Sequence, residues 1–293
     1  MAAGDTITQS LADSLDTVVA SARQVREQEG VMPNLVDKVT LEEGTGTSWR
    51  EISMAQLTAQ AITETTRLDN PQQMSDTAFA ITPTVVGIQT LITDRVAARV
   101  NKKSYAQLGS LAQNSIQRKK DEDGLAAIDG ATTQLNTANA ALASGFIAAA
   151  VYQISSNETE PGNPPYRAVF HGFSLKDIWD ELTAAVDTAE RSDISGITAR
   201  VFTEGLRGKI AGCEIYEDGN LTIDSDGDAK GGVFAQEAIV LVQGRSPRTA
   251  TIRREDIGGG ATVMYLYDEY AYGERSAGNW LFEIIADATA PTS

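Results

Sequence analysis

The first 82 residues contain two segments that cannot complete a hydrophobic core by themselves, and this feature limits the possible folds more than any motif does. In the first segment, apolar residues at helical spacing predict a helix that begins at Asp5 or Thr6, ends at Gly30 and has one apolar stripe. The stripe residues are Ile7, Leu11, Leu15, Val18, Ala22 and Val25. Such a helix must bury its stripe against the body of its own chain or against a neighbouring copy.

The second segment, from about Val31 to Thr82, contains β-type runs and few large apolar residues. The runs Val36 to Leu41 and Ser48 to Ile52 flank a turn-forming stretch from Glu42 to Thr47, and the sequence after them is polar as far as Gln73. This pattern predicts a long hairpin that projects from the body. Because an isolated two-stranded ribbon is only marginally stable in water, we expect a neighbouring molecule to support it.

The remainder of the chain predicts an α+β fold. A long helical region in two pieces runs from about Thr90 to Asp129, and its charged run from Arg118 to Asp123 is interpreted as a solvated helix face. Residues 138–154 are apolar nearly all round, which predicts a buried helix. Another helix begins at Ser174, with Asp177 placed as in a capping box. Strands are predicted at Arg167 to Phe170, Glu214 to Tyr216, Ala238 to Val242, Thr249 to Arg254, Thr262 to Tyr267 and Trp280 to Ile285.

The composition is that of an acidic globular chain. Its 293 residues are 42% hydrophobic, which is enough for one large or two modest domains. The net charge of −16, from 40 acidic and 24 basic residues, argues against a sequence-reading nucleic-acid binder and against docking on anionic membranes. The first residues lack the features of a secretion signal, and the stretch from Ala140 to Tyr152 is shorter than the roughly 20 apolar residues that span a bilayer. We therefore expect a soluble cytosolic chain without membrane contact.

Few residues suggest catalytic or metal-binding chemistry. With one histidine, His171, and one cysteine, Cys213, the usual zinc and iron–sulfur sites cannot form within a chain, and both residues are interpreted as packing residues. Asp224, Asp226 and Asp228 alternate as in the opening of a calcium loop, but the glycine and the final glutamate of that loop are both replaced by alanine. We interpret this run as an exposed acidic turn that is at most a weak metal candidate. We expect no cofactor and no enzymatic activity.

Several short stretches, taken in their order along the chain, are similar to segments of one known family. They are Ile81 to Pro83, Ile92 to Asp94, Tyr166 to His171, Gly208 to Tyr216, Gly231 to Ala235 and Asp268 to Gly273. In this order they resemble the major capsid proteins of tailed bacteriophages, which have the Hong Kong 97-type fold. The first two look like the strand that leads from the hairpin into the long spine helix, and the last looks like the return strand of the peripheral domain. The family often has proline after the histidine, where this chain has Gly172.

The resemblance implies a division of the chain. Residues 1–35 would form an N-terminal arm with an amphipathic helix, and residues 36–82 an extended hairpin loop. Residues 83–135 and 245–293 would form a peripheral domain with the spine helix, and residues 136–244 an axial domain. Because only about thirty-five residues precede the hairpin, we expect no cleaved scaffolding segment.

The resemblance also implies a function. Copies of the chain would assemble into pentamers and hexamers, and these into an icosahedral shell around packaged double-stranded DNA. Portal and scaffolding proteins would be partners, a decoration protein could be another, and the DNA would be contacted weakly and non-specifically, for example through Lys119 and Lys120. The chain would belong to the virion and would assemble in the bacterial host cytoplasm.

Contacts between copies are expected at the arm and at the hairpin. The candidate interface residues are Ile7, Leu11, Leu15, Val18, Glu42, Glu43, Trp49, Arg50 and Arg67. Two alternatives stay open. An encapsulin-like compartment would share the fold and enclose an enzyme, whereas an acidic hydrolase would have a deep cleft with carboxyl groups of raised pKa.

Overall fold

Three β-sheets organise the described part of the chain, which in this computed structural model comprises residues 30–44, 46–65, 71–99, 103–187, 209–257 and 259–292. The helices in these ranges are α1 (Met32–Leu35), α2 (Asp94–Arg99), α3 (Lys103–Asp129), α4 (Ser144–Ser155) and α5 (Gly172–Asp187). The first strands are β1 (Asp37–Thr40), β2 (Trp49–Met54), β3 (Asp76–Ile81), β4 (Thr84–Thr93), β5 (Gln134–Leu135) and β6 (Tyr166–Phe170). The later strands are β7 (Lys209–Ile210), β8 (Cys213–Glu217), β9 (Asp228–Ala235), β10 (Ile239–Arg254), β11 (Ala261–Glu274) and β12 (Leu281–Asp287).

A six-stranded sheet in the order β5-β12-β9-β6-β8-β7 carries the main core. Its central strands β9 and β12 are buried along nearly their whole length, as expected of strands covered on both faces. Gly232 in β9 permits this cover, because a Cβ there would lie 2.5 Å from Ile128 of α3 and 2.7 Å from the carbonyl oxygen of Phe282. Helix α3 can therefore approach the sheet closely at this glycine.

A four-stranded sheet in the order β1-β10-β11-β4 is built around two long strands. Strand β10 has 16 residues and β11 has 14, and they pair antiparallel with two register shifts between Gln243 and Arg248. Strand β1 joins this sheet in parallel with β10, with Asp37 opposite Val240. The first four residues of β10 are buried and most of its second half is exposed, so the sheet extends from the core into solvent.

Helix α3 connects the two larger sheets, since it contacts strands β9 and β12 of one and β4 and β11 of the other. Its buried apolar residues are Ala112, Ile116, Leu125 and Ile128. Within the described ranges, no helix combines the length and the apolar character that crossing a membrane requires.

From Met32 onward, the helices and strands predicted from the sequence occur in the predicted order. The predicted helix that begins at Asp5 or Thr6 lies outside the described residues. The two pieces of the long helical region are α2 and α3, and strand β4 replaces the start of that region up to Thr93. The runs Ala238 to Val242 and Thr249 to Arg254 belong to one continuous strand, β10, and the predicted strand Thr262 to Tyr267 is part of β11.

The predicted pairing of the hairpin is wrong for its first run. Residues 36–41 supply β1, which pairs with β10, whereas the hairpin itself is the two-stranded sheet β2–β3. The proposed domain boundary after residue 244 falls inside β10, and β12 pairs with β9 across it. The division into arm, hairpin, peripheral and axial parts stays a prediction.

Three local interpretations also need correction. The run from Arg118 to Asp123 is only partly solvated, because Lys120 and Asp121 are buried. Helix α4 buries one face and exposes Tyr152, since only part of its surface contacts the sheet. There is no capping box at Ser174, because α5 begins at Gly172 and the Asp177 carboxylate accepts a hydrogen bond from the backbone N–H of Leu142.

Candidate interaction surface

Hairpin β2–β3 has two different faces because side chains alternate along each strand. The inner face carries Trp49 and Glu51 of β2 opposite Ile81 and Phe79 of β3. These side chains are buried or half-buried, and the Trp49 and Phe79 rings meet edge to face with centroids 6.2 Å apart. The inner face therefore rests on the body of the chain near the start of the hairpin.

A single arginine fixes that start. The Arg275 guanidinium donates hydrogen bonds to Glu51 (2.6 Å), to Asp37 of β1 (3.0 Å) and to the backbone carbonyl of Glu237 (2.9 Å), and it lies 5.9 Å from the centroid of the Trp49 ring. Burial by itself would lower the pKa of Arg275, but the two carboxylates outweigh burial and raise it. We call Arg275, Asp37, Glu51 and Trp49 the root clamp, because they hold the hairpin at one angle to the sheet.

The outer face of the hairpin is exposed along its whole described length. It carries Arg50, Ile52 and Met54 on β2 opposite small or polar residues on β3, namely Ala80, Ala78 and Asp76. Ile52 is 60% exposed and Met54 is 70% exposed. Because Ala80 and Ala78 are short, Arg50 and Ile52 are not covered from β3, and the outer face is apolar in its middle and charged at both ends, with Arg50 at one end and Asp76 at the other.

The connection between β2 and β3 continues this apolar character. Leu57, Ile62 and Met74 are each about 60% exposed. Together with Ile52 and Met54 they make five of the nine large exposed apolar side chains in the described ranges, although the hairpin is a small part of the chain. Exposed apolar residues concentrated in this way mark an interaction site, whereas scattered ones do not.

The sequence-predicted interface residues are only partly brought together. Glu42, Trp49 and Arg50 line one open cleft of about 720 Å³ between the end of β1 and the start of β2, and Glu43 is exposed in the adjacent turn. The remaining candidates lie outside the described residues: Ile7, Leu11, Leu15, Val18 and Arg67. The interface assignment of all nine residues stays a prediction.

The acidic turn uses its carboxylates to hold the backbone. Asp224 accepts hydrogen bonds from the N–H groups of Asp226 and Asp228 at 2.9 Å, and the Asp228 carboxylate accepts one from Asn139 at 2.9 Å. In the described ranges, no group of three histidine, cysteine or acidic side chains has the arrangement of a metal site.

The single histidine and the single cysteine lie in packed surroundings. His171 accepts a hydrogen bond on Nδ1 from the backbone N–H of Phe173, and burial lowers its pKa. Cys213 is fully buried, and burial raises the pKa of its thiol to about 12, so a reactive thiolate is disfavoured.

Carboxyl groups with raised pKa values, which the hydrolase alternative requires, are present, and Asp218, the one with the largest shift, is buried. Burial raises the pKa of Asp218 to about 7, with Asp121 as a further cause, and burial also raises the pKa values of Glu274 and Glu283. Asp121 and Asp218 are 0% and 1% exposed, and their oxygens accept hydrogen bonds from the main chain. A substrate therefore has no open path to this pair.

Sequence reasoning did not single out Arg275, Asp121 or Asp218, and it placed Lys120 wrongly. Lys120 is buried against Asp268, which removes it as a candidate DNA contact. One signal was available: Lys120 lies four residues after Ile116, and Asp121 four before Leu125, so both continue the apolar stripe of the helix. For Arg275 we find no comparable local signal.

Comparisons with known proteins now bear on this arrangement. No family model matches the sequence, and no curated protein sequence matches it. Solved structures do match. A chain of Mycobacterium phage Che8 superposes with a TM-score of 0.72 at 15% identity, covering 92% of this chain and 96% of that one. A chain from the head of Helicobacter pylori bacteriophage KHP40 superposes with a TM-score of 0.73 at 10% identity, covering 98% of this chain and 99% of that one. A chain from the capsid of cyanophage P-SCSP1u superposes with a TM-score of 0.69 at 13% identity, covering 96% of this chain and 94% of that one.

These similarities extend over nearly the full length of each chain, at identities too low to carry more than the fold. In this chain the hairpin, the long helix α3 and the β-rich last part follow one another in the order that the sequence predicts. The chain has the fold of the tailed-phage major capsid proteins, the Hong Kong 97-type fold.

Proposed function

We propose that this chain is the shell-forming subunit of a phage-type capsid and that it assembles by laying its hairpin on a neighbouring copy. The observation that carries the proposal is the outer face of β2–β3, where Ile52 and Met54 are exposed on a ribbon that its own chain covers on only one side. In a closed symmetric shell, every subunit has a neighbouring copy that can cover the outer face of its hairpin.

The contact can be strong enough to matter. Fully burying an isoleucine or methionine side chain contributes about 1.5–3 kcal/mol, and 60% and 70% of these two side chains are still exposed. Their burial would therefore contribute about 2–4 kcal/mol for each hairpin. Because every subunit makes the same contact, modest individual contacts add up over a closed shell.

The finer picture follows the family resemblance. Subunits would form pentamers and hexamers that enclose double-stranded DNA, with portal and scaffolding proteins as partners in the host cytoplasm. A chain charge of −16 suits a wall along which packaged DNA must slide, because such a wall does not hold phosphates strongly. An encapsulin-like shell would share the assembly and differ in its cargo, which would be an enzyme.

Electron microscopy and size-exclusion chromatography test the assembly. The chain is expressed alone and with its neighbouring genes, and rings or shells are expected. A product that stays monomeric in every condition would contradict the proposal. The content of purified shells distinguishes the two hypotheses: DNA is expected for a phage capsid and a bound enzyme for an encapsulin-like compartment.

A matched pair of variants tests the role of the hairpin. Ile52→Ser with Met54→Ser removes apolar surface from the outer face, and Val85→Ser with Ile252→Ser removes exposed apolar surface from the four-stranded sheet. We expect both to fold with unchanged thermal unfolding. Only the hairpin variant should need at least about tenfold more protein to assemble, as a loss of about 1.4 kcal/mol requires. Equal defects in the two variants, or none, would refute the assignment of the hairpin.

A further inference from the structure

Two buried carboxyl groups lie beneath the segment through which the N-terminal arm enters the body. We call residues 30–35 the arm root. Asp121 lies on α3 and Asp218 follows β8, their exposures are 0% and 1%, and Asn220 donates a hydrogen bond to each of their carboxyl groups. Met32 and Leu35 of the arm root are buried in the main core above them.

The two carboxyl groups bind the arm root by accepting hydrogen bonds from its backbone N–H groups. Asp121 Oδ1 accepts the N–H of Met32 at 2.9 Å, and Asp218 Oδ2 accepts the N–H of Val31 at 3.3 Å. These N–H groups belong to the start of α1, where no side chain of the helix caps them. Gly30 passes so close that a Cβ on it would overlap the Asp121 carboxyl group.

The other two oxygens of the pair are bound by one asparagine. Asn220 donates its backbone N–H to Asp218 Oδ1 and its side-chain Nδ2 to Asp121 Oδ2, each at 2.9 Å. The pair therefore accepts four hydrogen bonds. Because two carboxyl groups in one buried site repel each other when both are charged, burial and the neighbouring Asp121 raise the pKa of Asp218, so that the pair keeps one proton to higher pH than an isolated aspartate does.

Among the residues that the structure describes, no cation is paired with either carboxyl group. The nearby ionisable side chains are Lys120 and Asp123 on α3, Asp268 and Tyr272 on β11, Arg167 on β6, and Glu217 at the end of β8. Lys120 is bound to Asp268, and Arg167 to the carbonyl of Asn34. Across the described residues, the ion pairs include neither Asp121 nor Asp218. Tyr272 stays neutral because burial raises its pKa.

We propose that the Asp121–Asp218 pair is a proton-operated latch that fastens the arm root to helix α3 and loosens when the shared proton is lost. With one proton, the pair carries a single charge that the four hydrogen bonds from the main chain and Asn220 stabilise. Without the proton, two negative charges lie side by side in a buried site. Moving the arm root away from helix α3 lets water reach both carboxylates and lowers the free energy of their repulsion and desolvation.

The sign of the effect follows from the raised pKa of Asp218. The folded chain holds this proton up to about pH 7, whereas an unfolded chain releases it near pH 4. The stabilisation is therefore complete at low pH and is lost as pH rises through about 7. If residues 1–29 reach a neighbouring copy in the proposed shell, as the family resemblance implies, the latch would make that contact depend on pH.

Hydrogen exchange of the full-length, unassembled chain tests the latch, because the Val31 and Met32 amides are themselves bonded to the pair. Exchange rates of residues 30–36 are measured from pH 6.0 to 8.5 and divided by their intrinsic rates. In the wild type we expect protection to fall about tenfold over this range. Protection of α4 should fall much less, since its segment does not contact the pair.

Three variants make the result decisive. Asp218→Asn and Asp121→Asn each remove one carboxyl group of the pair, and protection of residues 30–36 in these variants should no longer change with pH. Asp228→Asn removes another buried carboxylate that accepts a backbone N–H, from Asn139, and should keep the wild-type pH dependence. A flat wild-type profile, or an unchanged pH dependence in both pair variants, would overturn the latch. Because the unassembled chain is measured, such a result leaves the assembly proposal standing, and failure to assemble leaves the latch standing.

Discussion

The buried ion pair between Lys120 and Asp268 shows how helix α3 is fastened to the four-stranded sheet. Lys120 Nζ lies 3.2 Å from Asp268 Oδ2, 2.7 Å from Gln243 Oε1 and 4.8 Å from the centroid of the Tyr270 ring. The side chains of the pair are 8% and 0% exposed. Replacing Lys120 by methionine keeps most of the unbranched side chain and leaves the Asp268 charge buried without its cation.

The expected cost can be bounded from these contacts. Breaking a buried pair by removing one partner typically costs about 3–5 kcal/mol. Asp268 would keep two donors, the Gln243 side chain at 2.5 Å and the Glu269 N–H at 2.9 Å, so the lower part of that range applies. We therefore expect Lys120→Met to lower the free energy of unfolding by about 3 kcal/mol. Adding Asp268→Asn should recover about half, since no unpaired charge then remains.

Urea unfolding of the unassembled chain measures these differences, provided that the slope of the transition is unchanged. Lys176→Met is the matched control, because Lys176 pairs with Asp180 on the exposed face of α5 and such a pair contributes about 0.5 kcal/mol or less. If Lys120→Met costs no more than Lys176→Met, or if the double variant is simply additive, the pair does not fasten the helix in the way argued.

Three further outcomes follow from the packing. Replacing Arg275 by methionine should release the root clamp, so that limited proteolysis within residues 52–75 accelerates several-fold while the main unfolding transition moves little; equal cleavage rates would contradict the clamp. Cys213 should stay unreactive toward a thiol reagent at pH 8 until the chain is unfolded, and fast labelling of the native chain would contradict its burial. Gly232→Ala should cost at least about 2 kcal/mol in urea unfolding because its Cβ meets Ile128, whereas Gly145→Ala, with open space around it, should be neutral or stabilising; similar effects of the two changes would contradict the close approach of α3.

The fold could be predicted from the sequence to the extent that it depends on local pattern and on the order of segments. Periodicity located the helix from Lys103 and the strands of the β-rich return, because their apolar spacing is set by contact with one core. It could not reveal that β1 pairs with β10, since Asp37 and Val240 are more than two hundred positions apart and nothing near Asp37 specifies the partner. The sequence therefore predicts a hairpin that starts at residue 36, whereas the hairpin of the structure starts at Trp49 in β2.

The candidate site could be predicted less well, because its decisive contacts join distant parts of the chain. A charged run reads as solvated, yet Lys120 and Asp121 are buried since each meets a partner about a hundred positions away or further, namely Asp268 and Asn220. The projecting hairpin was indicated by its polar composition. The apolar outer face of the hairpin could not be predicted. Ile52 and Met54 are only two apolar residues at alternate positions, and such a short pattern does not identify a face of the ribbon when the pairing of the strand is unknown.

The two-stranded hairpin also bears on what happens to the chain before it meets a partner. In the described ranges β2 and β3 pair only with each other, so both long edges of the ribbon present unused backbone donors and acceptors beside an apolar face. Open edges of this kind template the addition of further strands, and neither proline nor lysine interrupts β2 or β3. The time a subunit spends alone is thus a hazard in itself. Producing the chain faster than its partners can capture it should yield sheet-rich aggregates at the expense of shells, and slower synthesis should favour the shells.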